Sequence, residues 1–335
     1  MRAARLLVAA LADPTRVAGL SDEDWQALLA AARAEQLIGS LAFRFEGVSV
    51  PAKIRQILDD ARRDAAQVLT QALWEAEMAR RALADLDVPI VLLKGTAFLA
   101  AALKAGIGRS VGDLDILVPR DSLEAVQQAL LAAGWEWVKE DAYDDLYYRR
   151  WMHELPPLIH KDRDRMIDVH HTILPPTARL KPDPDALIAD SVQLANGLRT
   201  LSREDMIVHA ALHLFADGDL AGGLRNLWDI DRLVREFGED QGFWPRLQAR
   251  SRLHGAHAPI SRAVRLAHSL YGTPIPKSWR RSNSADALFH RRLLARDGWG
   301  RGVRPGTRFG FYVRSHWMRM PPLMLARHLL TKARR

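Results

Sequence analysis

The chain has no cysteine in its 335 residues, which excludes disulfides, thiolate nucleophiles and cysteine-ligated zinc. No stretch approaches the roughly 18 consecutive apolar residues that a membrane-spanning helix requires. No internal repeat is present. The opening MRAARLLVAALADP has early arginines and an apolar stretch, but that stretch is short and ends at Asp13-Pro14 without a convincing cleavage site, so it reads as a first amphipathic helix. Acidic residues are scarce in one place. Residues 277–335 hold fifteen Lys and Arg against Asp286 and Asp297, a local charge of +13, which leaves −5 on the other 276 residues of a chain whose formal net charge is +8. The remaining composition, 48% hydrophobic and 26% charged, is ordinary for a soluble chain of two or three modules. The missing cysteines suit a cytoplasmic setting.

The segment VPIVLLKGTAFLAAALKAGIGRSVGDLDILV, residues 88–118, is the richest in chemistry. A short β-branched run leads into Lys94-Gly95, an alanine- and leucine-rich helical stretch follows to near Gly106 and Gly108, and a second strand opens at Leu114. Side chains alternate along a strand, so Asp113 and Asp115 project to one side while Leu114 and Ile116 enter the core. Two carboxylates so placed repel unless a cation lies between them. Hard divalent ions such as Mg²⁺ take oxygen ligands and share their shell with substrate phosphates, which makes this pair a candidate Mg²⁺-nucleotide site. Gly95 follows a strand and opens a helix, where free N–H groups and a missing Cβ admit a phosphate, and Thr96 adds a hydroxyl. A tight turn at Gly95 with Thr96 as an ordinary N-cap fits the same residues.

A third oxygen ligand is expected on a neighbouring strand, where it also helps deprotonate an attacking hydroxyl. Asp168 is the candidate. Residues 155–161, a polar turn at 162–165 and MIDVHHTI at 166–173 read as a hairpin with Asp168 in its second arm, between Ile167 and Val169. An ion pair with a nearby arginine is the alternative role for that carboxylate. His170 shares its face and is placed to orient it.

Taken together, LLKG, Arg109, GDLDILV, the glycine at Gly134 and IDVH at 167–170 resemble the uncharacterised nucleotidyltransferase family of the DNA polymerase beta-like superfamily. Helical stretches around DEDWQALLAAARAEQL and LSREDMIVHAALHLF extend the likeness over roughly residues 5–276. The resemblance implies an α+β fold, with a small mixed β-sheet nucleotidyltransferase core flanked by N-terminal and C-terminal helical regions. It also implies two Mg²⁺ ions and a nucleoside triphosphate, ATP by expectation. Asp113 and Asp115 would bind both ions, Asp168 would bind one and activate the acceptor hydroxyl, and Gly95 with Thr96 would hold the triphosphate. The pair Gly95-Thr96 replaces the superfamily's commoner Gly-Ser or Gly-Gly, and sixteen residues separate it from Asp113. Lys94 and Arg109 are the nearest cationic candidates for the phosphates, or else partners for the aspartates. The acceptor, whether small molecule, glycan precursor or protein, is not named by the resemblance. The alternative is a degenerate, non-catalytic version of the fold that binds nucleotide or a partner.

Composition divides the chain into a helical region at 1–85, the core at 86–176, a linker rich in proline (Pro175, Pro176, Pro182, Pro184) leading into helices at 177–276, and the basic tail. Ser202 and Asp205 read as a helix-capping box. His209, His213 and Asp217 recur every four residues, a spacing that suits a transition metal, hydrogen bonds inside a helical bundle, or the border of the acceptor cleft. Arg225, Asp229 and Asp231 read as a salt-bridge set on a helix face. The tail interleaves arginines with aromatics and closes with PPLMLARHLLTKARR, an amphipathic pattern suited to an anionic membrane surface at its inner face, to nucleic acid less well, or to the acidic body of the protein itself.

Overall fold

The computed structural model describes residues 1–139, 151–216, 218–281, 283–319 and 321. Its secondary structure is an α+β arrangement of thirteen α-helices and one seven-stranded mixed sheet among the described residues. Helices α1 (Arg2–Ala12), α2 (Asp22–Ala34), α3 (Ile38–Arg44) and α4 (Ala52–Ala82) come first. Ala3, Leu7 and Leu11 bury one face of α1 against α2, as the 3.6-residue period requires, and α2 begins where the Ser21 hydroxyl accepts from Asp24 N at 3.2 Å. The 31-residue α4 buries only a narrow strip that includes Leu58, Ala61, Ala72, Ala76 and Ala79.

The sheet runs β3-β4-β5-β2-β1-β7-β6. Its centre is β1 (Val91–Leu92) and β2 (Leu114–Leu117), antiparallel, joined by α5 (Lys94–Ala100). The expected helix to Gly106 is shorter because Ala102 turns left-handed, at φ 52°, two residues beyond α5. Helix α6 (Leu123–Ala132) ends before Gly134, whose φ of 98° no L side chain adopts easily, and β3 (Trp135–Trp137) follows. The expected hairpin is formed by β4 (Leu158–His160) and β5 (Met166–His170), with Asp162 and Asp164 exposed in its turn. Arg163 and Arg165 in that turn reach Glu75 and Gln71 of α4, which ties the long helix to the sheet.

The sheet continues past residue 176. After α7 (Pro184–Ala189), the short strands β6 (Val192–Gln193) and β7 (Arg199–Thr200) form a hairpin, and β7 pairs parallel with β1. Two-residue strands interrupted by Asn196-Gly197 leave almost no alternation to read. Helices α8 (Arg203–Ala216), α9 (Gly223–Phe237), α10 (Phe243–Leu253) and α11 (His257–Tyr271) then pack as a group, with α8 almost wholly buried. Ser202 caps α8 through Asp205 N, but the Asp205 carboxylate turns to Arg250 and His254 rather than back to the cap. Arg225 pairs with Asp229 as expected and also donates to Gln36 O and Ser40 Oγ, locking α9 to the N-terminal helices; Asp231 instead takes Arg232, Arg235 and Thr273.

The basic segment is docked on the body over α12 (Asp286–Leu293) and α13 (Pro305–Arg319). Trp279, Phe289 and Phe311 are buried, Arg292 and Arg308 pair with Asp219, and Arg296 meets Glu35 at 2.7 Å. Trp299 and Phe309 remain mostly exposed. Residues 322–335, which hold most of the amphipathic closing motif, lie outside the described residues, as does Asp217. Among the described residues no helix is long and apolar enough to cross a membrane.

One close approach holds α3 to the loop before the carboxylates. A Cβ on Gly108 would lie 2.4 Å from the Gly39 carbonyl carbon, and Gly108 has a φ of 67°. Gly108→Ala is therefore expected to cost more than Gly47→Ala, where φ is also positive but nothing lies within 4 Å. Urea unfolding should show about 1–2 kcal/mol for Gly47→Ala and clearly more for Gly108→Ala.

Candidate active site

The strand pairing brings the aspartates together. Strands β2 and β5 are parallel, and Asp115 stands directly opposite Asp168. Residues in register share a face, so these two carboxylates point the same way. Asp113 lies in the bend just ahead of β2 and is exposed. Oxygens of Asp113, Asp115 and Asp168 fall within 4.8 Å of one another.

Asp115 is the buried member, only 2% exposed. Lys94 Nζ donates to its Oδ1 at 2.6 Å, and His170 Nε2 approaches the same oxygen at 2.9 Å. Burial disfavours its charge, but the His170 hydrogen bond and the Lys94 ammonium outweigh that penalty and hold the carboxyl below the ordinary range. Lys94 in turn is raised: burial opposes its charge, and Asp115, with Asp113 and Asp168 behind it, restores it. Lys94 adopts φ 48°, a left-handed conformation costly for a side chain with a Cβ, at the turn from β1 into α5 that delivers its ammonium to the aspartates. His170 thus orients Asp115, its diagonal neighbour, where the sequence pointed to Asp168.

Asp168 is in the opposite electrostatic condition. Burial, then the charges of Asp115 and Glu154, push it from an ordinary 3.8 up to about 7, with His170 only partly compensating. Its Oδ1 is buried with no hydrogen-bond partner. A carboxylate that lacks a donor and sits against two others offers what a hard divalent ion takes, so the donor set fits Mg²⁺.

The expected phosphate-side residues are less open. Gly95 and Thr96 are buried in the first turn of α5. A Cβ at Gly95 would lie 2.7 Å from both Arg109 Nε and Val111 Cγ2, so the missing Cβ accommodates the Arg109 side chain. Arg109 pairs with Asp229 of α9 at 3.1 Å and lies over the Phe98 ring, while its Nε is buried with no hydrogen-bond partner. A small cleft bordered by Thr96, Gly112, Glu75 and Arg165 is lined by Asp113 but not by Asp115 or Asp168.

His209 on α8 is buried and held neutral, first by desolvation and then by His213, Lys94 and His170, which places this helix face on the rear of the site. Its ring lies 6.2 Å from that of His213. Neither belongs to a three-ligand cluster among the described residues. The second such cluster is His153, Glu154 and His170, and the first two carry no local signature in the sequence. They precede the hairpin by a few residues, and their approach to β5 is a pairing between distant segments that no periodicity marks.

Three carboxylates on and beside paired central strands of a mixed sheet, with Lys94 at their inner edge, form a group able to hold a metal ion on an α+β scaffold. The chain belongs to a family described as uncharacterised nucleotidyltransferases, whose model matches residues 21–272. No curated protein matches the chain. The family match begins later than the likeness read from residue 5 and ends close to where that likeness does.

Asp168 carries a testable sign. Its folded-state value lies above its unfolded value, so ionising it lowers stability as pH rises from about 4 to about 7, after which the loss is complete. Asp168→Asn should therefore raise the melting temperature of the metal-free protein at pH 8, and the gain should shrink as pH falls toward 4. Calorimetry at both pH values measures it; an Asn variant less stable than the parent at pH 8 would show that the carboxylate has a favourable partner.

Proposed function

We propose that the protein transfers a nucleoside monophosphate from a nucleoside triphosphate, ATP by expectation, to a hydroxyl of an acceptor that is a small molecule, a glycan precursor or a protein. The observation that carries this reading is the convergence of Asp113, Asp115 and Asp168 within 4.8 Å, with an orphaned Asp168 oxygen among them. These three residues would hold a pair of Mg²⁺ ions, which when bound neutralise the triphosphate and the charge developing on the entering and leaving oxygens. Asp168, whose buried Oδ1 has no hydrogen-bond partner, is the carboxylate that would take the proton of the acceptor hydroxyl. The acceptor oxygen then bonds to the α-phosphorus as the bond to the bridging oxygen breaks, and pyrophosphate leaves. Lys94, beside Asp115 and partly exposed, is the cation that would meet phosphate oxygens as a point charge, whereas Thr96 and Arg109 would reach them only if the buried turn at Gly95 opened.

One contact favours a second reading, a catalytically degenerate module that binds nucleotide or a partner. The Lys94 ammonium at 2.6 Å already neutralises Asp115. Two variants separate the readings. In the enzyme, Asp113→Asn weakens Mg²⁺-dependent ATP binding by tenfold or more, about 1.4 kcal/mol, with melting unchanged because Asp113 is exposed, and Lys94→Met lowers nucleotidyl transfer. In the degenerate module ATP binds without Mg²⁺, Asp113→Asn has no effect, and no labelled acceptor forms with radiolabelled nucleotide in cell extract.

We further propose that the exposed Trp299 and Phe309, with the basic residues of the tail, bring the protein to the inner face of an anionic membrane from the cytoplasm. The double variant Trp299→Ser, Phe309→Ser should float less with vesicles containing phosphatidylserine than the parent does; a parent chain that fails to float at low salt would remove this part of the reading.

A further inference from the structure

Beside the aspartates lies a group of a different chemical kind. His153, Glu154 and His170 each offer a ligand atom, all within 4.8 Å of one another. Backbone pairing creates the group: Glu154 forms an antiparallel bridge with His170, flanked by Leu155 N donating to Val169 O and His171 N donating to His153 O, both at 2.9 Å. Directly opposed residues share a face, so the Glu154 carboxylate meets the His170 ring. Glu154 Oε2 lies 3.3 Å from His170 Nδ1 and 3.5 Å from His153 Nε2. Bonds of about 2.0–2.2 Å at tetrahedral angles set ligand atoms roughly 3.3–3.6 Å apart, so these separations are those of adjacent ligands on one small ion.

The two nitrogens of His170 are in different situations. The residue is 2% exposed, and its Nε2 faces the ionised Asp115 Oδ1 at 2.9 Å, so that nitrogen carries the proton and donates. Its Nδ1 is turned the other way, toward Glu154. That atom is buried and makes no hydrogen bond, although a carboxylate oxygen lies 3.3 Å away. With that nitrogen unprotonated, it and the carboxylate oxygen are two acceptors face to face, an arrangement that a cation bound between them relieves.

We propose that His153, Glu154 and His170 bind one divalent transition-metal ion of the zinc class, at a site separate from the all-oxygen site of Asp113, Asp115 and Asp168. Two imidazoles and one carboxylate select a borderline ion over Mg²⁺. His170 joins the sites, ligating through Nδ1 while Nε2–H supports Asp115, the carboxylate–histidine–metal arrangement that fixes a ring's tautomer and orientation. Filling the nitrogen site therefore sets how Asp115 is held, whether or not the protein transfers nucleotides.

Cobalt(II) distinguishes the sites, because nitrogen ligation at low coordination number gives a strong visible band and octahedral oxygen ligation does not. The full chain, stripped with a chelator and titrated with Co²⁺ in excess Mg²⁺, is expected to bind one Co²⁺ with such a band and to release it to one equivalent of Zn²⁺. His153→Ala and the near-isosteric Glu154→Gln should each weaken this binding tenfold or more, while Asp113→Asn leaves it unchanged, with circular dichroism confirming that each variant is folded. The proposal is overturned if no band appears, if Mg²⁺ alone displaces the Co²⁺, or if the band survives both His153→Ala and Glu154→Gln.

Discussion

The parallel register between β2 and β5 sets Asp115 and Asp168 side by side, and like charges at that spacing on a partly buried surface cannot both ionise freely. The protein resolves the repulsion unequally. Asp115 receives Lys94 and His170 and stays ionised, whereas Asp168 receives no donor at its buried oxygen and is driven toward neutrality. One carboxylate is thereby committed to charge and the other left responsive to whatever cation or proton arrives. Pairs of titratable groups pushed apart in this way are a mark of sites that divide acid–base tasks.

Much of the surrounding scaffold serves this edge. The left-handed Lys94 turns the chain so that its ammonium reaches Asp115, and the packing of Arg109 against the bare face of Gly95 fixes the loop that carries Asp113. Arg109 continues to Asp229, and Arg225 continues from Asp229 to α3, so a buried chain of ion pairs and hydrogen bonds joins the site loop to both helical regions. Such a chain stabilises less than its length suggests, because each charge has been taken out of water, yet breaking any link leaves a buried charge unmatched. Its effect is to specify one arrangement of three regions that are distant in sequence.

The basic tail illustrates how charge imbalance is settled by docking. Its arginines find Asp219 and Glu35 on a body that is net acidic, and its aromatics Phe289 and Phe311 pack edge to face in the core. Trp299 and Phe309 face solvent, and Trp317 does so in part. A membrane-seeking composition and a self-docking one look alike in sequence because both alternate apolar and cationic residues; only the position of the acidic partners separates them.

What the linear sequence determined was local chemistry with a short period. Alternation placed Asp113 and Asp115 on one face, the polar turn at 162–165 announced the hairpin bearing Asp168, and Ser202 announced the start of α8, since each depends on backbone geometry within a few residues. The tertiary structure alone decided which strand lies beside which, and therefore that Asp168 opposes Asp115, that His170 serves Asp115, that Arg109 meets Asp229, and that His153 and Glu154 stand at the site. It also added β6 and β7, whose two residues each are too few to carry a pattern. Contacts of this kind join segments separated by tens of residues, and their energy comes from desolvation and charge pairing that no single segment possesses before the chain has folded.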